Sequence, residues 1–348
     1  MFPRFAVGGG RERAKSEQQS AAWGGGELPT SRRDVETSAI NLSECFCAQS
    51  FLFMRPNIIC YFAYDLLSLR VGSPLGFERA AGRETFRRNV WTMVNIPRIA
   101  AVSYLNTIPF IYGIRHEGNL RADLLLAPPA DCVENYARGL ADIALIPSAA
   151  VPQMRSTEII TDYCVGASGP VRTVVVLSNT PIEKARRIFL DAHSRTSVQL
   201  TGYLAAARWK IAPEWYTLDD YSQVAYAREG DAFLLIGDKV FDHEGLFAYS
   251  YDLAEEWRAQ TGMPFAFAVW VARKGTSYEA IDALQHALTL GVESIWEAVV
   301  EEGFDRKPYD AYAYLTQNID FVFNAEKHAA LQKFWNAGLK ITPRSNPG

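Results

Sequence analysis

From Arg98 onward, short apolar runs alternate with amphipathic stretches of helical period. The runs Ile99–Val102, Ala122–Ala127, Ile143–Ile146, Thr157–Cys164, Thr173–Leu177, Arg187–Leu190, Phe233–Ile236 and Phe265–Val271 are rich in β-branched and other apolar side chains and read as strands. Apolar positions three and four apart mark helices at Pro109–Arg115, Cys132–Arg138, Ser197–Trp209, Tyr221–Arg228, Leu253–Gln260, Tyr278–Glu301, Pro308–Gln317 and Ala325–Ala337. Such alternation specifies an α/β fold with mixed sheets. Two strands stand apart. Thr173–Leu177 precedes a fresh strand–helix series, and Phe265–Val271 is followed only by helical patterns. Both read as crossings between two halves, with 93–176 and 268–348 forming lobe 1, 177–267 forming lobe 2 and a cleft between them.

The first 92 residues follow no such pattern. Glycine runs at 8–10 and 24–26 interrupt them, and no period of 2 or 3.6 is sustained. The apolar stretch 51–69 contains Arg55, Pro56 and Asp65, which makes it a poor membrane span. This part reads as a disordered extension or a mis-called start, with Met93 as the natural beginning. Charge divides in the same way. Residues 1–92 carry 12 basic and 9 acidic side chains and the rest 23 and 30, so the patterned part is acidic and does not suit a nucleic-acid surface. Only Cys132 and Cys164 fall in that part, which suits a reducing cytoplasm and small buried hydrophobes. No dinucleotide or Walker loop, HExxH or CxxC occurs, so no metal, nicotinamide, flavin or pyridoxal cofactor is implied.

The most informative segment is Arg98–Phe110. Its apolar run stops at Ser103-Tyr104-Leu105-Asn106-Thr107, and a helical pattern follows Pro109. Strand, polar turn and helix place hydroxyls, an amide and main-chain N–H groups at the carboxyl end of a sheet, where open α/β folds bind ligands. Ser194-Arg195-Thr196-Ser197 repeats the arrangement after Arg187–Leu190, at the positive end of a helix. There Arg195 either pairs with an anion or braces the hinge. Ser148 follows Ile146-Pro147, and Gly237-Asp238 follows a buried strand. Glycine at 237 permits close ligand approach, and Asp238 suits a helix cap or a hydroxyl acceptor better than a metal ligand. Trp257, Trp270, Trp296 and Trp335 sit at strand or helix spacing and read as core.

Several separated motifs share their order and spacing with a known family. They are Val102-Ser-Tyr-Leu-Asn-Thr-Ile-Pro109, Leu140-Ala-Asp-Ile-Ala-Leu-Ile-Pro-Ser148, Gly169-Pro-Val-Arg-Thr-Val174, Ser194-Arg-Thr-Ser-Val198, Leu234-Leu-Ile-Gly-Asp238 and Asp252-Leu-Ala-Glu-Glu-Trp257, running on to Trp270. Over about 97–340 the chain resembles the menaquinone-biosynthesis family of the futalosine route, closest to its chorismate dehydratase branch. The resemblance implies a bilobal, type II periplasmic-binding-protein-like fold with two mixed-sheet lobes and a central cleft. It further implies a cytoplasmic hydro-lyase acting on the small dianion chorismate, with no cofactor and with neither nucleic acid nor membrane as partner. Asn106 and Thr173 are the implied catalytic residues, with Ser168 a possible substitute for Thr173. Ser103, Tyr104, Ser148, Ser194, Arg195, Thr196, Ser197, Gly237 and Asp238 are implied to bind substrate. An amide cannot accept a proton at neutral pH, so Asn106 orients the leaving hydroxyl or bonds charge growing on a carboxylate. None of the histidines (116, 193, 243, 286, 328) falls in a motif, and the substrate's own second carboxylate is the candidate base. Two other readings stay open: a solute-binding protein for a small organic acid, and the sister 1,4-dihydroxy-6-naphthoate synthase.

Overall fold

The structure is a computed structural model describing residues 96–338 and 340–345, so the expectations for 1–92 and the start at Met93 lie outside the described residues. The chain opens with β1 (Arg98–Val102), β2 (Asp123–Ala127), β3 (Ile143–Pro147) and β4 (Thr157–Ala167). It then builds β5 (Val174–Ser178), β6 (Arg187–Asp191), β7 (Glu214–Leu218), β8 (Asp231–Ile236) and β9 (Tyr249–Asp252) before β10 (Phe265–Arg273) and β11 (Asp320–Val322). The strands form two sheets, ordered β11-β4-β10-β3-β1-β2 and β7-β6-β8-β5-β9. Both are mixed. β1 runs parallel to β2 and β3, whereas β10 is antiparallel to β3 and β4. In the second sheet β6 is parallel to β7 and β8, and β5 is antiparallel to β8 and β9.

The first crossing occupies 168–173, ahead of β5, so the strand expected to cross lies wholly in the second sheet. The return runs through 253–264, ahead of β10, so the second strand expected to cross likewise lies wholly in one sheet, the first. A third connection comes from the tail: the Arg344 carbonyl accepts from Thr217 N–H and its own N–H donates to the Trp215 carbonyl, both at 2.9 Å, laying the segment along β7. Central strands are continuous apolar runs because helices cover both faces; β3, β5 and β8 are buried throughout.

Eight α-helices occur among the described residues: α1 (Ile108–His116), α2 (Pro129–Ala137), α3 (Thr196–Leu204), α4 (Leu253–Thr261), α5 (Tyr278–Glu293), α6 (Ile295–Glu301), α7 (Ala311–Gln317) and α8 (Ala325–Asn336). α1 is set by contact with α5. A Cβ at Gly113 would stand 1.8 Å from the Ala287 carbonyl oxygen, and one at Gly291 1.8 Å from that of Pro109, so two glycines let the backbones touch. The helix expected over 221–228 is instead a short 3-10 segment, Tyr221–Tyr226, capped by Asp220. The helix expected over 278–301 breaks at Ser294, whose φ −117° and ψ 40° are not helical. Trp296 is 54% exposed and stacks edge-on with Tyr312, which corrects its assignment to the core. Trp257 and Trp270 are fully buried, and half-buried Trp335 donates to the Ser148 carbonyl at 2.9 Å. Both thiols are buried, which pushes Cys132 and Cys164 up to about 12. No helix of the described residues is long and apolar enough to cross a membrane.

Candidate active site

Parallel strands end together where the sheets face each other. The ends of β1, β3 and β8 supply Val102, Pro147 and Ile236 to one cavity, and the loop after β6 supplies Ser194. The cavity itself measures about 60 Å³, room for a few waters, so a larger ligand requires its walls to part. Three helix beginnings converge on it: Asn106 and Thr107 ahead of α1, Pro129 at the first position of α2, and Ser194–Ser197 at the start of α3. Each helix has nine residues and begins at the cavity, although α1 and α2 open with Pro109 and Pro129, which lack N–H groups, and Ser197 N–H bonds Ser194. Val174, Phe267 and Ala268 add apolar wall. The lining contains no Asp, Glu, His or Lys, and Arg195 is its one basic side chain. Among the described residues no cluster of His, Cys, Asp or Glu has the makings of a metal site.

Asn106, Tyr104, Ser194, Arg195, Thr196, Ser197 and Gly237 line the cavity. Thr173 does not. It is fully buried behind the wall, and its hydroxyl lies 2.6 Å from the Tyr314 phenol on α7. Burial raises the Tyr314 pKa above that of a free phenol, which keeps it protonated, while the Thr173 bond pulls the other way.

Other expected residues serve the structure. Ser148 is buried behind the lining and donates to the Ala266 carbonyl at 2.8 Å. The Thr196 hydroxyl accepts from Ala149 N–H at 3.1 Å and donates to the Phe267 carbonyl at 3.0 Å, tying α3 to the first lobe. Ser103 is exposed and outside the lining, with its N–H on the Ala127 carbonyl at 3.1 Å. Ser168 is exposed and bonds Asp320 at 2.5 Å, away from the cavity. Ser194 caps its own helix by accepting from Ser197 N–H at 3.2 Å.

Arg195 reaches toward Glu134 of α2, 3.8 Å away, across the mouth. Asp238 accepts from Leu105 N–H through both oxygens at 3.1 Å and so joins the two lobes. Burial raises its pKa, although Leu105 N–H, Lys239 and Lys307 act to lower it. Gly237 has φ 73° and ψ −163°, a region reserved in practice for glycine. A Cβ there would stand 3.0 Å from the Tyr104 ring, so the close approach expected at this glycine is made by Tyr104. Arg172 is held at φ 66° by its N–H to Asp252 at 2.6 Å and a two-pronged bond to Glu244 at 2.6 and 2.9 Å, which fixes the backbone before Thr173.

Sequence reasoning missed Tyr314 and a buried hub beneath the Ser194 segment. Asp191, at the end of β6, accepts from Lys239 Nζ at 2.6 Å, the Tyr221 hydroxyl at 2.8 Å, His193 N–H at 3.0 Å and Ile236 N–H at 3.3 Å. It therefore ties the loop before α3 to the strand before Gly237. The one signal was an acidic residue ending an apolar strand ahead of a polar turn.

Residues 97–339 match the model of the family described as menaquinone biosynthesis. The chain belongs to that family. The match spans both sheets and every lining residue of the cavity, and it supports a role in menaquinone biosynthesis. Two mixed sheets facing across a cleft, joined by crossovers, make the family member's fold bilobal and periplasmic-binding-protein-like. Among solved structures, a protein of Archaeoglobus fulgidus is similar at 17% identity, over 69% of this chain and 95% of that one, with a TM-score of 0.56. A Bordetella bronchiseptica protein is 15% identical over 69% and 88%, with a TM-score of 0.50. The aliphatic sulphonate binding protein of Escherichia coli is 16% identical over 70% and 91%, with a TM-score of 0.49.

Proposed function

We propose that the protein is a chorismate dehydratase, a cytoplasmic hydro-lyase converting chorismate to 3-[(1-carboxyvinyl)oxy]benzoate and water. The observation that carries this reading is the convergence of three helix N-termini on a cavity whose lining has no carboxylate. An acidic domain does not attract a dianion by its overall field, so local dipoles and hydrogen-bond donors must hold it. Within the motif that follows β1, Tyr104 and Asn106 bring a hydroxyl and an amide to the lining, a pair that suits the dehydratase branch.

In this reading one carboxylate sits at the start of α3, held by main-chain N–H groups and Arg195. The ring lies on Val102, Val174, Ile236 and Phe267, and the Asn106 amide bonds the departing hydroxyl. The ring proton beside the ether leaves first, because its charge spreads through the diene into the ring carboxylate. With no Asp, Glu, His or Lys in the lining, the substrate's enolpyruvyl carboxylate takes that proton. The bond to the neighbouring hydroxyl then breaks, the leaving oxygen collects the proton as water, and the ring becomes aromatic. Preorganised donors of this kind contribute about 10²–10³-fold each.

The test is incubation of the full chain with chorismate, following loss of diene absorbance and appearance of a product lighter by one water. Stoichiometric conversion supports the reading. Unchanged absorbance together with tight binding of another small acid overturns it in favour of a solute-binding role. Turnover of a naphthoate precursor instead points to the sister synthase.

A further inference from the structure

The segment that begins α3 borders two cavities. Ser194 and Arg195 line the candidate site, and the same two residues line a second cavity of about 260 Å³ together with Gln153, Asp191, Val198 and Gln199. Empty space adjoins the segment in both, so packing alone does not fix it.

Hydrogen bonds to Asp191 do. β6 pairs with β8 as far as Leu190 and Leu234 and no further. Beyond that pair the Asp191 carboxylate takes the place of strand backbone. Its Oδ2 accepts at 3.3 Å from the N–H of Ile236, the residue before Gly237. Its Oδ1 accepts at 3.0 Å from the N–H of His193, the residue before Ser194. Ser194 N–H adds a bond to the Asp191 carbonyl at 3.1 Å. One side chain thereby joins two stretches that line the site, the start of α3 and Ile236-Gly237.

A fully buried carboxylate needs a compensating charge, and Lys239 supplies it. Lys239 Nζ lies 2.6 Å from Oδ2, donates to the Tyr221 hydroxyl at 2.9 Å and sits 4.0 Å from the centre of the Tyr221 ring. Tyr221 donates in turn to Oδ1 at 2.8 Å. Unpaired, the Asp191 charge would repel an anion held by Ser194 and Arg195; paired, it leaves no net charge beneath them.

We propose that Asp191 is a positioning residue that sets the start of α3 against Gly237, and that Lys239 neutralises it so that an anion can bind there. The bonding stands independently of the function proposed for the site; the kinetic consequence rests on the dehydratase reading.

The test uses the full chain with D191N, K239M and D191N/K239M. Asparagine keeps the shape of aspartate but has one acceptor oxygen, so whichever way its amide turns, a nitrogen meets either His193 N–H or Ile236 N–H. In ligand-free D191N, hydrogen exchange at one of those two amides accelerates roughly tenfold, while the amides of β3 keep their protection. With chorismate, D191N raises KM roughly 10- to 100-fold and changes kcat less than about threefold, because the segment holds a carboxylate and not the reacting atoms. K239M leaves the buried charge unmasked and raises KM at least as much. D191N/K239M is no worse than K239M, since no charge remains to repel the ligand. If K239M does not fold, the double variant is compared with D191N, whose stranded Lys239 charge gives it the lower KM of the two. Unchanged exchange at both amides, a parental KM in D191N, a loss confined to kcat, KM losses that multiply in the double variant, or a double variant with a lower KM than D191N overturns the proposal. Failure of the parental chain to dehydrate chorismate defeats the functional reading alone and leaves the exchange test standing.

Discussion

Replacing Gly237 with alanine tests how tightly the two lobes are fitted at the cavity. The backbone there has φ 73° and ψ −163°, where any Cβ costs about 1–3 kcal/mol. The new carbon also meets the Tyr104 ring at 3.0 and 3.1 Å, closer than carbon atoms tolerate. Tyr104 is not free to withdraw without loosening the cavity it lines, and overpacking of this kind adds about 1 kcal/mol or more. G237A is therefore expected to lose about 2–4 kcal/mol, or roughly 5–15 °C in Tm for a domain of this size. Gly262 is the control. It has φ 76° and ψ 0° with no atom within 4 Å of a built Cβ, so G262A meets only the cost of the left-handed conformation, about 1 kcal/mol. Denaturant unfolding of both variants at constant m-value separates the two contributions. G237A should also weaken substrate binding, whereas G262A should not. Equal losses in the two variants, or a G237A loss well under that of G262A, would refute the fit between Gly237 and Tyr104.

R195Q should leave stability within about 0.5 kcal/mol, because the Arg195 side chain is 42% exposed and its Glu134 partner 61%. It should raise KM for chorismate roughly 10- to 100-fold if the guanidinium meets a carboxylate, and an unchanged KM assigns Arg195 to bracing instead. Asp238 has a raised pKa in the folded state, so the stability tied to its protonated form is present at low pH and lost as pH climbs through that pKa. D238N cannot ionise, so its stability relative to the parent should increase as pH rises above the ordinary carboxylate value of about 3.9, and a flat difference contradicts the assignment. K327M should lose about 2–3 kcal/mol in denaturant unfolding. Lys327 is fully buried, donates to the Asp320 carbonyl at 3.0 Å and pairs with the Asp320 carboxylate at 2.7 Å; that carboxylate keeps some solvent, which lowers the cost. Activity in K327M should persist, because this cluster lies at β11, away from the cavity lining.

Strands whose side chains are buried on both faces were plain in the sequence because nothing competes with their apolar runs. Ile99–Val102, Ile143–Ile146 and Phe265–Val271 all lie within strands of the first sheet. Of the edge strands only β2 was, as Ala122–Ala127. β7 (Glu-Trp-Tyr-Thr-Leu) and β9 (Tyr-Ser-Tyr-Asp) present mixed faces, and three-residue β11 is shorter than any pattern can register. The polar turns after β1 and β6 were legible as ligand-facing segments, since a strand that stops at hydroxyls and amides before a helix has few other uses. What those hydroxyls bond was not legible. Ser148 and Thr196 look alike in sequence to free ligand donors, yet each is occupied by a carbonyl of β10 more than 70 positions away. Tyr314 was invisible for the same reason. Its hydroxyl bonds Thr173, 141 positions away, a pairing that no local pattern registers.

The most direct measurement is the structure of the full chain, as the slow N106A variant, with chorismate bound. It should show the ligand between the lobes, one carboxylate at the start of α3 beside Ser194–Ser197 and the ring against Val102 and Ile236. A ligand outside the cleft, or one whose carboxylates meet none of the three helix N-termini, would contradict the account.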